Sequence, residues 1–306
     1  MEAQSHMKSL QKHQLERVGK SLTGFCIVVV ILVVGSLIVM VAQRGLSAFA
    51  VDGVDLWGFL SGVTWNPHQP DASGAPTVGA LPMIFGSFAV TLLSCLFVIP
   101  FALGSAIYTV EINPKFGNTV FRPALELLVG IPSVVFGLVG LTIVVPWIRG
   151  WSGGTGYGIL AGSLVLAVMV LPTVTSLIID ALNAVPATYR MSSSALGGTR
   201  WQNTRHIVLK AATPGILTAI ILGMARAFGE ALAVQMVIGN AATIPDSLVS
   251  PAATLTSVLT TSMGNEAMGT VYNDVLWSLA LILLLMSLVF ILIVHIIGNR
   301  SEVKHG

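Results

Sequence analysis

Charge is what this chain has least of. Only 9% of its 306 residues are Asp, Glu, Lys or Arg, against roughly a quarter in soluble domains. Hydrophobic residues make up 54% of the chain, and the mean hydropathy is +0.87. A soluble globular protein is excluded, and no nucleic-acid partner is expected. Cysteine is nearly absent: Cys26 and Cys95 both lie in apolar runs, so neither a disulfide framework nor a metal-ligand spacing can be read. There is no H-E-x-x-H pattern, and the six histidines are scattered, with only His295 inside an apolar run. The string VGKS at 18–21 has the ending of a phosphate-binding loop, but Gln14 stands where its first glycine belongs and no strand precedes it. Neither nucleotide binding nor catalysis by this chain is expected, and no cofactor or metal.

What remains is long apolar runs. A membrane-spanning helix needs about 20 mostly apolar residues, and six stretches qualify: Leu22 to Ala42, Ile84 to Val110, Ala124 to Trp147, Gly158 to Ile179, Pro214 to Asn240 and Val275 to Ile297. Runs this continuous lack the alternation of a barrel, and lipid admits only helices or closed barrels. The sequence therefore predicts an all-α membrane protein with six transmembrane helices. The first run is longer than a signal-peptide core and no A-x-A-like site follows Val41 and Ala42, so it is expected to be retained as a span.

Basic residues set orientation, because they collect in cytoplasmic loops. With the amino terminus inside, the inner segments hold Lys8, Lys12, Arg17, Lys20, Lys115, Arg122, Arg190, Arg200, Arg205, Lys210, Arg300 and Lys304, and the outer loops only Arg44 and Arg149. Both termini are expected in the cytoplasm: a tail over 1–21, a first helix over 22–42, an outer segment over 43–83, a five-helix core over 84–297, and a tail over 298–306. The outer segment carries Asp52, Asp55, Asp71, Trp57 and Trp65 among prolines and glycines, which suits either a folded cap or docking surface or a plain connector. Residues 151–158, WSGGTGYG, read as a tight turn, and the polar segment 241–274 has room for a short re-entrant or surface helix. Glu126 and Asp180, at inner ends of spans, read as interfacial anchors.

The largest inner loop spans 180–213. Its stretch 189–211 has helix formers bracketed by Pro186 and Pro214, which predicts one or two short helices against the inner face. Contact with anionic lipid is the plainer reading of its four basic residues. Spacing gives a sharper one. Gly197, nine residues, Ile207, one residue and Leu209 resemble the loop shared by ABC importer permeases, E-A-A, three residues, glycine, nine residues, I-x-L-P. Here Met191, Ser192 and Ser193 stand where the acid and two alanines are usual, and Lys210 replaces the proline.

Further stretches narrow the resemblance: FGSFAVTLLSCLFVIPFALGSAIYTVE, GIPSVVFGLVGL, LPTVTSLIIDALNAVPATYR, ALGGTRW and RAFGEALAV, with TWNP and GALP before the second span. From about Trp57 to Arg300 the chain is similar to the C-type permease subunits of high-affinity phosphate importers in bacterial and archaeal inner membranes. That resemblance implies the type I ABC importer permease fold with one extra amino-terminal helix. It also implies a sister permease, two ATP-binding subunits that supply ATP and Mg²⁺ and receive the inner loop as a coupling helix, and an extracytoplasmic phosphate-binding protein.

Arg226 and Glu230 lie inside the fifth apolar run. An arginine at a helix centre costs about 2.5–3.5 kcal/mol on insertion scales, so intramembrane charges face a bundle interior or a watery cavity. Four residues apart, the two would share a helix face and could neutralise each other, although the acid-first order is the better one. A guanidinium matches phosphate as a planar fork. Arg226 is therefore expected to line the anion's path, with Glu230 holding it until phosphate displaces it. Another oxyanion or small solute as cargo, and a secondary transporter with Glu230 as proton relay, are the alternatives, and a membrane scaffold or sensor is a third.

Overall fold

The computed structural model describes residues 2–70 and 76–302. Asp71, and the side chains of Lys8, Lys12, Arg17, His295, Arg300 and Lys304, lie outside the described residues. Among the described residues six helices are long and apolar enough to cross a membrane: Gly19–Ala50, Leu81–Ile112, Ser133–Ser152, Ile159–Asn183, Arg200–Phe228 and Val271–Leu292.

The chain begins with α1 (Glu2–Ala50). It continues through α2 (Leu56–Ser61), a two-stranded antiparallel hairpin of β1 (Trp65–Pro70) and β2 (Pro76–Val78), and α3 (Leu81–Ile107), which a widened π-helical turn extends over Tyr108–Ile112. The outer segment is thus folded and not a bare connector. Asp55 caps α2 by accepting from the Gly58 N–H at 2.6 Å, and the rings of Trp65 and His68 meet Tyr272 edge-on.

The third apolar run is not one helix. The short α4 (Pro114–Phe116) precedes α5 (Arg122–Val129), which stops before Pro132, and α6 (Ser133–Val139) and α7 (Val145–Ser152) carry the span. Proline disfavours helical backbone in the residue before it, and Pro132 itself is extended at φ −59°, ψ 140°. Positive φ at Gly153, Gly156 and Gly158 then makes the tight turn into the next helix.

That helix, α8 (Ile159–Asn183), is the centre of the molecule. Fifteen of its residues are buried, with α3 packed on one flank and α11 (Leu209–Phe228) on another. Small residues permit close approach between membrane helices: Gly223 of α11 faces Val170 and Val174 of α8. By contrast the membrane portion of α1 is exposed on this chain, and α1 packs on α14 (Val271–Glu302) around Gly45, whose carbonyl accepts from Ser278 at 2.7 Å.

Two further differences concern the inner loop and the fifth run. Of the short helices expected over 189–211, only α9 (Ala187–Ala195) stands apart; α10 (Arg200–Asn203) and the π-helical turn Thr204–Val208 lead without interruption into α11, so they are the first turns of the fifth span. The run Pro214 to Asn240 is then broken: α11 ends at Phe228, and α12 (Leu232–Ile238) begins after three non-helical residues. In the segment 241–274 the short helix is α13 (Leu255–Ser262), whose first turn is buried.

Candidate functional site

The break in the fifth helix collects the charges. Arg226 sits in the last turn of α11, where the helix dipole leaves partial negative charge and favours a cation. Glu230 lies just before α12, and its Oε1 accepts from the Ala233 N–H at 3.3 Å, where the dipole favours an anion. Each residue therefore serves the end of its own half-helix. The expected hold of Glu230 on the guanidinium is not what the fold builds: the break removes the common helix face, and Arg226 forms no ion pair with any described carboxylate.

The guanidinium's partner is instead neutral. Arg226 Nη1 donates to the Thr173 hydroxyl at 2.6 Å, and Thr173 follows Pro172 near the middle of α8. Arg226 thus lies beside the middle of α8, although near the end of its own helix. The residue is exposed on this chain.

The break is stabilised by residues that sequence reasoning did not single out. The carbonyl of Glu230, orphaned where the helix stops, accepts from the Thr256 hydroxyl of α13 at 2.9 Å. Thr256 also meets the Thr254 hydroxyl at 3.0 Å, and the Leu255 N–H donates to Ser87 of α3 at 2.9 Å. Ser87, Thr91, Glu230, Thr254 and Thr256 line a narrow recess of about 10 Å³ beside Phe228. Phe228 packs between Phe88 and Phe290, with ring centroids 5.4 and 5.2 Å away. A run of hydroxyl residues after a polar segment was the available signal, yet nothing in their spacing says which carbonyl they meet.

The inner loop forms a second, separate surface. Helix α9 ends at Leu196, and Gly197 at φ +79° turns the chain; this is the left-handed region that glycine enters without the clash of a Cβ. Thr199 and Gln202 then close a capping box on α10. Tyr189, Ser192, Ser193, Leu196, Gly198 and Ile207 line an open groove of about 300 Å³. Leu196 is 89% exposed and Met191 62%. Leu209 packs against the core while Lys210 is exposed. The turn therefore brings Met191, Ser192, Ser193, Gly197 and Ile207 to one end of the molecule, far in sequence from Arg226. Among the described residues no three His, Cys, Asp or Glu side chains gather where a metal could sit.

Comparison with known proteins places the whole chain in a family. Residues 98–303 match the family described as binding-protein-dependent transport system inner membrane component. The chain is 46% identical over 299 residues to the probable ABC transporter permease protein YqgH of Bacillus subtilis, covering 97% of this chain and 96% of that protein. It is 31% identical over 270 residues to the phosphate transport system permease protein PstC of Mesorhizobium japonicum, covering 82% and 80%. For the PstC of Pasteurella multocida the figures are 30% over 323 residues, covering 99% and 98%. In fold it is similar to an inward-facing structure of the MetNI methionine ABC transporter, at a TM-score of 0.56, with 19% identity over 72% of this chain and 94% of that one. A family model over two thirds of the chain and relatives aligned along nearly its whole length agree: the chain is a member of the binding-protein-dependent transport system inner membrane component family, a permease subunit of an ABC importer.

Proposed function

We propose that this permease carries inorganic phosphate inward, paired with a sister permease and driven by ATP hydrolysed in two separate subunits. The observation that carries the reading is the Arg226 guanidinium, which lies within the apolar fifth span, bonds one neutral hydroxyl and is exposed on this chain. A charge cannot rest against lipid tails inside a span without a large cost, so a second subunit must cover this face and leave a polar path between the two. Phosphate suits the site because a fork of N–H donors matches its oxygens. Kinship with two PstC proteins at 30–31% identity supports the same cargo.

An inward doubly charged anion works against an inside-negative potential by about 2.3 kcal/mol per charge per 100 mV, or roughly 4–5 kcal/mol in all. The energy comes from ATP, with its Mg²⁺, in the partner subunits. The groove beside α9 is the surface they engage, with Tyr189, Leu196 and Ile207 as apolar anchors. Met191, exposed where an acid is usual, makes that contact apolar instead of ionic. Both termini lie on this same cytoplasmic side, and a phosphate-binding protein delivers to the other.

The test is to purify the chain from its native membrane in mild detergent, identify what accompanies it, and reconstitute the complex in vesicles. An ATPase subunit, a related permease and ATP-dependent phosphate uptake are expected, with Arg226→Gln abolishing uptake at unchanged complex yield. Uptake of a different oxyanion in place of phosphate would overturn the cargo and keep the architecture.

A further inference from the structure

One half-buried guanidinium joins the inner loop to two membrane helices. Arg190 belongs to α9, yet its side chain leaves that helix entirely. Nε and Nη2 donate to Glu111 Oε1 at 3.1 and 2.9 Å, and Glu111 lies in the π-helical turn that ends α3. Nη1 donates to the Val185 carbonyl at 2.8 Å, and Nη2 also donates to the Leu182 carbonyl at 2.9 Å. These are carbonyls at and just beyond the end of α8, where backbone acceptors lack helical partners and the dipole favours a cation.

The contact differs in kind from its neighbour. Arg122 and Asp180 meet at 2.6 Å, but both are exposed, and exposed pairs contribute little. The Arg190 and Glu111 side chains are only 26% and 13% exposed, and a partly buried, charge-assisted set of four bonds is both stronger and more exacting in geometry. Helix α8 then carries the connection inward: it is continuous from Leu182 back to Thr173, which holds Arg226.

We infer that Arg190 is a positioning residue that locks α9 to the inner ends of α3 and α8, with Glu111 as its anchor, so that displacement of α9 moves α8 and with it Thr173 and Arg226. The inference rests on the reading of α9 as the ATPase contact. Rigid elements joined by bonded side chains are the physical means by which distant sites couple. Severing the tie uncouples hydrolysis from uptake and leaves the complex assembled.

The experiment uses the complete complex in vesicles, measuring inorganic phosphate taken up per ATP hydrolysed. Glu111→Gln keeps the side chain's volume and removes its charge; the ratio should fall on the order of tenfold, the size of one charge-assisted hydrogen bond, with ATP hydrolysis continuing. Glu111→Asp, which keeps the charge, should restore most of it. If the Gln variant does not assemble, Arg190→Lys takes its place, since it retains the charge without the fork that reaches both Glu111 and the carbonyls. A purely structural role would lower complex yield, uptake and hydrolysis together at constant ratio, and that result overturns the inference. A wild-type chain that recovers no ATPase subunit removes the reading beneath it; a coupled wild type with an unchanged variant ratio removes the inference alone.

Discussion

Arg226 and Thr173 meet across the packed faces of α11 and α8, guanidinium to hydroxyl at 2.6 Å. One neutral acceptor steers the cation without neutralising it, which under the proposed function leaves its charge to meet the anion. Thr173→Val removes that acceptor at nearly constant volume. Phosphate uptake should fall on the order of tenfold, as expected for loss of a hydrogen bond to a charged group, at unchanged complex yield. Thr173→Ser, which retains the hydroxyl, should stay near wild type in the same vesicle assay.

The same interface sets Arg226 by close packing. A Cβ on Gly223 would collide with the Val174 side chain and touch Val170. Gly223→Ala should therefore force α11 off α8, at about 1–3 kcal/mol for an overpacked contact. A lowered melting temperature in detergent checks it, and Gly223→Ala with Val174→Ala should recover much of the loss.

Much of this was legible in the sequence. Six spans follow from apolar length alone, and the place of Arg226 inside the fifth of them follows from the same run. The break at 229–231 was not legible, because Pro214 to Asn240 is apolar throughout and Gly229 reads equally well as a narrow packing residue. What stops the helix is tertiary: the Thr256 hydroxyl supplies a donor to the Glu230 carbonyl from 26 residues away. Likewise Arg190 counted only as one more inner basic residue, since its partner Glu111 is 79 positions distant. Periodicity reports which face is apolar, and says nothing of which polar groups meet across helices.

The outer segment should be sensitive to pH. Burial, then the negative charge of Asp274, then a hydrogen bond with that carboxyl raise the pKa of Asp52 above its ordinary 3.8. With both groups ionised, Asp52 Oδ2 and Asp274 Oδ1 are buried without a donor. Folded protein thus holds a proton that unfolded chain has released, so stability falls as pH rises from 3.8 through the raised value. Melting temperatures measured between about pH 4 and 7 should decline for wild type. Asp52→Asn should flatten that decline and be the more stable form at neutral pH.

Gly197 tests the inner turn. Nothing lies within 4 Å of where its Cβ would be, yet its φ is +79°, so any cost of Gly197→Ala is backbone strain, about 1–2 kcal/mol. Since the turn is on the surface, the membrane helices should keep their melting behaviour while recovery of the ATPase subunit on purification declines. Gly197→Asn, better suited to left-handed backbone, should recover more of it than Ala.

The Thr256 bond offers the clearest separation of polar from steric effects at the helix break. The Glu230 carbonyl lies where the helix has stopped, so Thr256→Val leaves a part-buried acceptor without its hydroxyl donor at almost the same side-chain volume. The cost should be about 1–3 kcal/mol, read as a lower melting temperature of the purified protein. Because the carbonyl belongs to the residue that caps α12, the loosened break should also slow phosphate uptake. Thr256→Ser keeps the donor and loses only a methyl group; it should restore uptake and most of the stability. Equal losses for Val and Ser would mean that packing, and not the hydroxyl, holds the two half-helices in place.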